Sequence, residues 1–208
     1  MEHSVMVDVE LTEWKCFPTN IYTFKSIKDV SQEHENMIVD AKNNILKNKV
    51  GYTRMGLFQT GDDLHNLPTF RKFSIFVSQL CADIFYKEGY EKQKIEITQM
   101  WANQQDNGSV HPPHGHSNCI LSGVYYIKAA ENSGNIVFND PRSTSHMAMP
   151  VRKKGEPPKH LWREVRVNPM VGRIIMFPAW LWHCVDPNNT NDIRISVSFN
   201  FLQKGMFI

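Results

Sequence analysis

The sequence has few of the features that mark several large classes of protein. It contains four cysteines, Cys16, Cys81, Cys119 and Cys184, and none belongs to a Cys-x-x-Cys pair. This spacing argues against a thiolate zinc cluster and a short-loop disulfide framework, so we expect reduced cysteines. No window approaches the roughly 20 apolar residues of a membrane span, and the start lacks the basic and apolar regions of a secretory signal. A soluble, cytoplasmic protein is therefore expected.

The chain also has no excess of one charge. It carries 23 Lys and Arg residues against 21 Asp and Glu residues, so composition gives no electrostatic reason to expect nucleic acid or a membrane surface as partner. The 208 residues fit one domain. We predict a single domain over 1–208, with a helical support region at 1–92 and the main β core at 93–208.

Hydrophobic periodicity is helical in the first half of the chain. Ser31 begins a pattern whose apolar face contains Met37, Ile38, Ala41, Ile45 and Leu46. A second helix is predicted with Asn66 as its cap, Pro68 in its first turn and an end near Gly89. Its apolar stripe is expected to pack against a sheet and consists of Phe70, Phe73, Phe76, Val77, Leu80, Ile84 and Phe85.

From Lys94 onward the pattern changes to alternation. Strands are predicted at 119–128, 134–139, 163–167, 171–177 and 193–201, and 17–24 reads as edge strand interrupted by Pro18. Helices followed by short strands favour an antiparallel barrel or sandwich braced by helices. An exposed edge containing Phe17, Ile21 and Phe24 would allow an oligomer.

Two stretches without a period are predicted as loops. Residues 50–68 are rich in Gly, Asp and Asn, and residues 141–162 are rich in Pro, Ser and basic side chains. The longer stretch is either a lid or binding loop, or a disordered surface insertion. Its basic residues Arg142, Arg152, Lys153 and Lys154 hint at an acidic target, but such a run is usually a solvated face.

Three histidines stand close together before the strand at 119–128. In an extended chain His114 and His116 point to the same side, so both imidazoles could reach one ion. His111 lacks this spacing, and Pro112 and Pro113 fix a bend, so we expect that it is not a metal ligand. Three imidazoles, with His183 far downstream as the third, suit iron, zinc, copper or nickel, and three protein ligands leave coordination positions open for catalysis.

The last strand supplies a group suited to a carboxylate. Arg194, Ser196, Ser198 and Asn200 share one face, while the odd-numbered positions are apolar. A solvated outer face would produce the same alternation. However, Arg is the side chain suited to bidentate capture of a carboxylate, and Ser196 lies beside it.

These motifs together resemble a known enzyme family. They are Cys16-Phe-Pro-Thr-Asn-Ile-Tyr, Trp101-Ala-Asn103, Leu121-Ser-Gly-Val-Tyr-Tyr-Ile, Phe138-Asn-Asp-Pro-Arg142, Phe177-Pro-Ala-Trp-Leu-Trp-His183 and Arg194-Ile-Ser-Val-Ser-Phe-Asn. The chain resembles Fe(II)- and 2-oxoglutarate-dependent oxygenases, in particular a branch of small proteins from marine bacteria and their phages. The similarity covers nearly the whole chain.

The resemblance implies a mainly β fold with N-terminal helices, whose core is a double-stranded β-helix or jelly roll. It further implies hydroxylation of an unidentified substrate with Fe(II), 2-oxoglutarate as co-substrate and O2, releasing succinate and CO2. By its motifs, His114, His116 and His183 would bind the metal. The residues expected to bind 2-oxoglutarate are Arg194, Ser196, Tyr126 and Asn103, although a turn or strand-end role is equally open for Asn103.

Several alternatives remain open at this point. The wider superfamily commonly has Asp or Glu where this chain has His116, so Asp140 or Asp186 could instead supply an anionic ligand. A three-His cupin-type dioxygenase would not use 2-oxoglutarate, and Arg194 argues against it. A non-catalytic jelly-roll protein, with the 141–162 loop recognising a partner, is the remaining alternative.

Overall fold

The computed structural model describes residues 12, 14, 16–25, 31–48, 56–91, 94–142, 144, 147 and 150–204. Within them, two helices are α1 (Ser31–Asn48) and α2 (Pro68–Lys87), and short 3-10 turns span Leu64–Asn66 and Lys159–Leu161. The first five strands are β1 (Tyr22–Lys25), β2 (Leu57–Gln59), β3 (Ile95–Gln105), β4 (His111–His114) and β5 (Leu121–Lys128). The remaining five are β6 (Ile136–Asn139), β7 (Glu164–Val167), β8 (Arg173–Pro178), β9 (His183–Val185) and β10 (Arg194–Gln203).

The strands form two antiparallel sheets. The larger has the order β1-β8-β5-β10-β3-β2, and the smaller has the order β4-β9-β6-β7. All strand pairs in both sheets are antiparallel. The predicted fold class, a mainly β jelly roll braced by helices, is therefore confirmed.

The larger sheet is buried on both faces. On β5, Tyr125 and Ile127 join a core formed with the helices, whereas Val124 and Tyr126 point between the two sheets and pack with Phe138 and others. Successive side chains of a strand point to opposite faces, so β5 contributes to both cores. The space between the two sheets is therefore lined by side chains from both of them.

Both predicted helices are present, with two corrections. The N-cap of α2 is Leu67, without a side-chain cap bond, because Asn66 belongs to the preceding 3-10 turn and donates its backbone N–H to Asp63. Phe76 was expected in the buried stripe but is 52% exposed. It lies on the side of α2 turned away from the sheet, while Phe70 and Val77 are fully buried. The side chain of Leu46 lies outside the described residues.

The five strands predicted after Lys94 are all present, and β1 confirms an edge strand. β3 carries the alternation that starts after Lys94, whereas three strands were not predicted. β2 lies within the expected loop at 50–68, where it pairs with β3, and residues 50–55 lie outside the described part. β4 and β9 pair with each other, and these two strands carry His114 and His183.

Three expectations about individual segments can also be compared with the structure. All four cysteines are free. Neither of the described helices combines the length and apolarity needed to span a membrane. In 141–162, residues 143, 145, 146, 148 and 149 lie outside the described part; the rest contains only the 3-10 turn Lys159–Leu161.

Candidate metal centre

Two paired strands bring His114 and His183 together. The residues are direct cross-strand partners on β4 and β9, and their ring centroids are 4.2 Å apart. The chain then turns after β4, and the backbone N–H of His116 donates to Ala179 O at 2.9 Å. This bond fixes His116 beside the pair, with ring centroids 5.1 Å from His114 and 5.2 Å from His183.

The three imidazoles lie close enough together to hold one ion. A nitrogen from each of His114, His116 and His183 lies within 4.8 Å of the other two. Nδ1 of His114 lies 2.9 Å from Pro112 O, and Nδ1 of His183 lies 2.8 Å from Leu181 O. Because a carbonyl oxygen only accepts, both Nδ1 atoms must donate their proton. Each Nε2 therefore keeps the lone pair that a metal requires.

Burial keeps these imidazoles in the ligating form. It lowers the pKa of His183 to about 3 and that of His116 to about 4, and in both cases the neighbouring histidines lower it further. Burial also lowers the pKa of His114. All three rings are consequently neutral at pH 7, which is the state that binds a metal ion.

Aromatic rings wall the centre on the inside of the sandwich. The ring of Phe177 lies 4.7 Å from that of His183, Phe138 lies 6.0 Å from His183, and Trp101 lies 5.9 Å from His116. Trp180 and Trp182 differ, being 59% and 53% exposed. They are therefore not core residues, and Phe177 supplies the buried aromatic bulk beside His183.

His111 lies beside the three clustered histidines. Its ring centroid is 4.2 Å from that of His114, and it lines the same cavity. His111 pairs with Val185 and His114 with His183, so three steps along β4 oppose two along β9. This β-bulge places both histidines on one face. Its nitrogens nevertheless lie outside the three-histidine group.

The two carboxylates considered as alternative ligands are engaged elsewhere. Asp140 accepts two hydrogen bonds from the guanidinium of Arg142, at 2.9 and 2.8 Å. Asp186 lies 3.3 Å from the guanidinium of Arg166. Among the described residues, the metal-sized cluster contains histidines only.

A buried cation lies in the same cavity. Arg194 is 2% exposed, and its Nη1 donates to the backbone oxygens of Ser133 and Gly134 at 3.2 and 2.6 Å. Within the described part of the chain, its Nε has no hydrogen-bond partner, and no acidic side chain bonds to the guanidinium. Burial lowers the pKa of this guanidinium. A buried cation without a counterion is costly, so this environment suits an anionic ligand.

The other predicted binding residues line the cavity around Arg194. Ser196 is buried two positions along β10, on the same face. Tyr126 is also buried, with its ring 5.9 Å from the guanidinium, and burial raises the pKa of its phenol. Asn103 lies opposite Ser196, but its amide donates to Ser198 Oγ at 3.0 Å and accepts from Gln59 at 2.7 Å.

Several solved structures share this fold. The epimerase SnoN from nogalamycin biosynthesis is 15% identical with a TM-score of 0.64, over 89% of this chain and 79% of that chain. A Pseudomonas putida prolyl-4-hydroxylase is 12% identical with a TM-score of 0.63, over 90% and 94%. HygX from Streptomyces hygroscopicus, solved with nickel, 2-oxoglutarate and hygromycin B, is 12% identical with a TM-score of 0.64, over 90% and 84%.

By sequence, the chain matches a protein-family model. No curated protein matches the chain. Residues 99–200 match a family model described as "Putative 2OG-Fe(II) oxygenase", and this segment contains the three clustered histidines as well as Arg194. Residues 99–200 thus match the 2OG-Fe(II) oxygenase family by sequence, and the fold is shared over most of the chain.

Proposed function

We propose that the protein is an Fe(II)- and 2-oxoglutarate-dependent dioxygenase that hydroxylates a still unidentified substrate and releases succinate and CO2. His114, His116 and His183 hold the iron, and Arg194 holds the distal carboxylate of 2-oxoglutarate. The observation that carries this proposal is a buried guanidinium in one cavity with three neutral imidazoles, bonded to no acidic side chain among the described residues.

The residues fit iron(II) by donor type and by protonation. Imidazole nitrogen suits iron(II), and three protein ligands leave the remaining coordination positions open. When bound, iron(II) supplies the oxygen chemistry that couples decarboxylation of 2-oxoglutarate to oxidation of the substrate. The backbone bonds at Nδ1 of His114 and His183 orient both rings before the metal arrives, so little reorganisation is needed on binding.

The electrostatics of the cavity favour a dianionic co-substrate. With His116 in place of a carboxylate, the metal centre keeps one more unit of positive charge, and Arg194 adds another. Ser196 and Tyr126 flank the guanidinium on β10 and β5, where their hydroxyls donate to the same carboxylate. Phe138 and Phe177 keep water away from the side of His183.

The rival functions do not account for Arg194. A three-His cupin-type dioxygenase that oxidises a bound substrate directly has no need of a buried, unpaired guanidinium beside its metal. A binding protein that recognises a partner through the 141–162 loop requires neither the imidazole cluster nor the buried cation. The combination of both in one cavity favours the 2-oxoglutarate oxygenase.

The test is isotopic. Aerobic incubation with Fe(II), 2-oxoglutarate and ¹⁸O2 should yield succinate that carries one ¹⁸O atom, because the reaction places one oxygen atom of O2 in succinate. His183→Ala is the matched control and should yield none, since it lacks a metal ligand. If the 2-oxoglutarate is recovered intact after incubation with the iron-loaded protein, the proposal is contradicted.

A further inference from the structure

Gln105 stands directly beside the buried cation. It is the last residue of β3, and the antiparallel register pairs it with Arg194 on β10. Side chains of directly paired residues emerge on the same face, with Cβ atoms about 5 Å apart. On its other side Gln105 pairs with Leu57 of β2, so neighbouring strands fix its backbone on both sides.

The side-chain Nε2 of Gln105 has no hydrogen-bond partner among the described residues. The residue is 2% exposed, and its Nε2 is a buried donor without an acceptor, as is Nε of Arg194. Its backbone oxygen is occupied, because it accepts from Nδ2 of Asn188 at 3.0 Å. Leaving a buried donor unpaired costs about 1 to 3 kcal/mol. Two such donors on adjacent residues therefore point to one missing acceptor.

The missing acceptor must offer several lone pairs to two N–H groups at once. A carboxylate meets this requirement, because its two oxygens offer about four acceptor sites and no donor. We propose that Gln105 is a co-substrate-binding residue whose amide Nε2 donates to the distal carboxylate held by Arg194. This inference rests on the proposed function and adds a third strand, β3, to the binding site formed by β5 and β10.

The choice of an amide at this position has a chemical consequence. A glutamine donates to the ligand without adding charge, so Arg194 keeps its full positive charge for the co-substrate. A glutamate of nearly the same size would pair with Arg194 and repel the incoming carboxylate. Substitutions of Gln105 can therefore test two properties independently, namely the hydrogen-bond donor of its amide and its lack of charge.

The experiment measures binding to the nickel-loaded protein by calorimetry, which avoids turnover. The two ligands are 2-oxoglutarate and 2-oxopentanoate, which has a methyl group where 2-oxoglutarate has its distal carboxylate. Gln105→Leu should weaken 2-oxoglutarate about 10-fold, the effect of one hydrogen bond to a charged group, and leave 2-oxopentanoate unchanged. Gln105→Glu keeps the side-chain volume and should weaken 2-oxoglutarate further, again without affecting 2-oxopentanoate.

Gln104 provides the matched control. It is the same residue type on the opposite face of β3, with its amide donating to Asp106 at 3.2 Å, so Gln104→Leu should change neither affinity. Equal weakening of both ligands by Gln105→Leu and Gln105→Glu would show a structural role and overturn the inference, as would no weakening of 2-oxoglutarate by either. If 2-oxoglutarate binds no better than 2-oxopentanoate to the unsubstituted protein, the proposed function itself fails.

Discussion

Replacing Arg194 with Met should separate stability from co-substrate binding. Met keeps a long apolar stem but removes the guanidinium, which is buried without a counterion. In most buried positions, removal of a hydrogen-bonded group weakens the fold. Here the group removed is a buried charge whose desolvation itself costs free energy, so the expected effect on stability is small.

The magnitude follows from two opposing contributions. The backbone oxygens of Ser133 and Gly134 lose their bonds to Nη1, which costs about 1 to 3 kcal/mol. Removing the desolvated charge recovers a penalty of several kcal/mol, of the order known for single buried ions. The free energy of unfolding should therefore change by less than about 1 kcal/mol or increase. Affinity for 2-oxoglutarate should fall at least about 30-fold, since one partner of a buried charge pair is lost.

Urea unfolding of the metal-free protein measures the first quantity, and calorimetric titration of the nickel-loaded protein with 2-oxoglutarate measures the second. The number of nickel ions bound per chain serves as control and should stay the same. The reasoning is refuted if Arg194→Met lowers the free energy of unfolding by more than about 3 kcal/mol while the folded variant binds 2-oxoglutarate normally. That result would make the guanidinium a structural group.

Three further predictions concern the metal centre and its support. His111→Ala should keep full nickel stoichiometry by calorimetry, because its nitrogens lie outside the ligand group, whereas His183→Ala should lose it; equal losses would contradict this distinction. Gly123→Ala should lower the free energy of unfolding by about 1 to 3 kcal/mol, because its Cβ would lie 2.2 Å from Cε2 of Phe199; an unchanged urea midpoint would contradict the tight contact. Burial lowers the pKa of His116 and His183 in the folded protein from 6.5 to about 4 and about 3. Below pH 6.5 the unfolded chain therefore binds more protons than the folded protein, so the metal-free protein should lose stability as the pH falls from 6.5 to 4. A urea midpoint that stays level or rises as the pH falls over this range would contradict the pKa shifts.

The strands found from sequence are those with a strong pattern of their own. β5 contains the apolar run 124–127 and is buried on both faces, and β10 alternates strictly from Arg194 to Phe201. β4 and β9 were missed because their pairing, not their composition, makes them strands. β4 contains Pro112 and Pro113, which donate no backbone hydrogen bond, and β9 has only three residues. These two strands form through pairing with other segments of the chain, which the periodicity of their own sequence does not indicate.

The same limit applies to the site. The structure brings together His114, His116 and His183, which spacing and resemblance had indicated. A regular strand would turn His111 away from His114, whereas the bulge after it places both on one face. The nitrogens of His111 still lie outside the three-histidine group, so its exclusion as a ligand stays a prediction. The prolines between them were the available signal of irregular backbone.

Gln105 was missed for a different reason. Residues 101, 103 and 105 alternate along β3 as 194, 196 and 198 do along β10, so their shared face could be read from the sequence. The register that sets Gln105 opposite Arg194 could not. Burial and the unpaired amide likewise emerge only when the sheets pack.

The measurement that tests the central claim most directly is an anaerobic titration of the metal-free protein with Fe(II) and then 2-oxoglutarate, followed by visible absorption. We predict a weak charge-transfer band of the iron chelate that grows with 2-oxoglutarate to one equivalent per chain and is absent in His183→Ala. Iron binding without any band on addition of 2-oxoglutarate would contradict the claim that the three histidines and Arg194 form one oxygenase site.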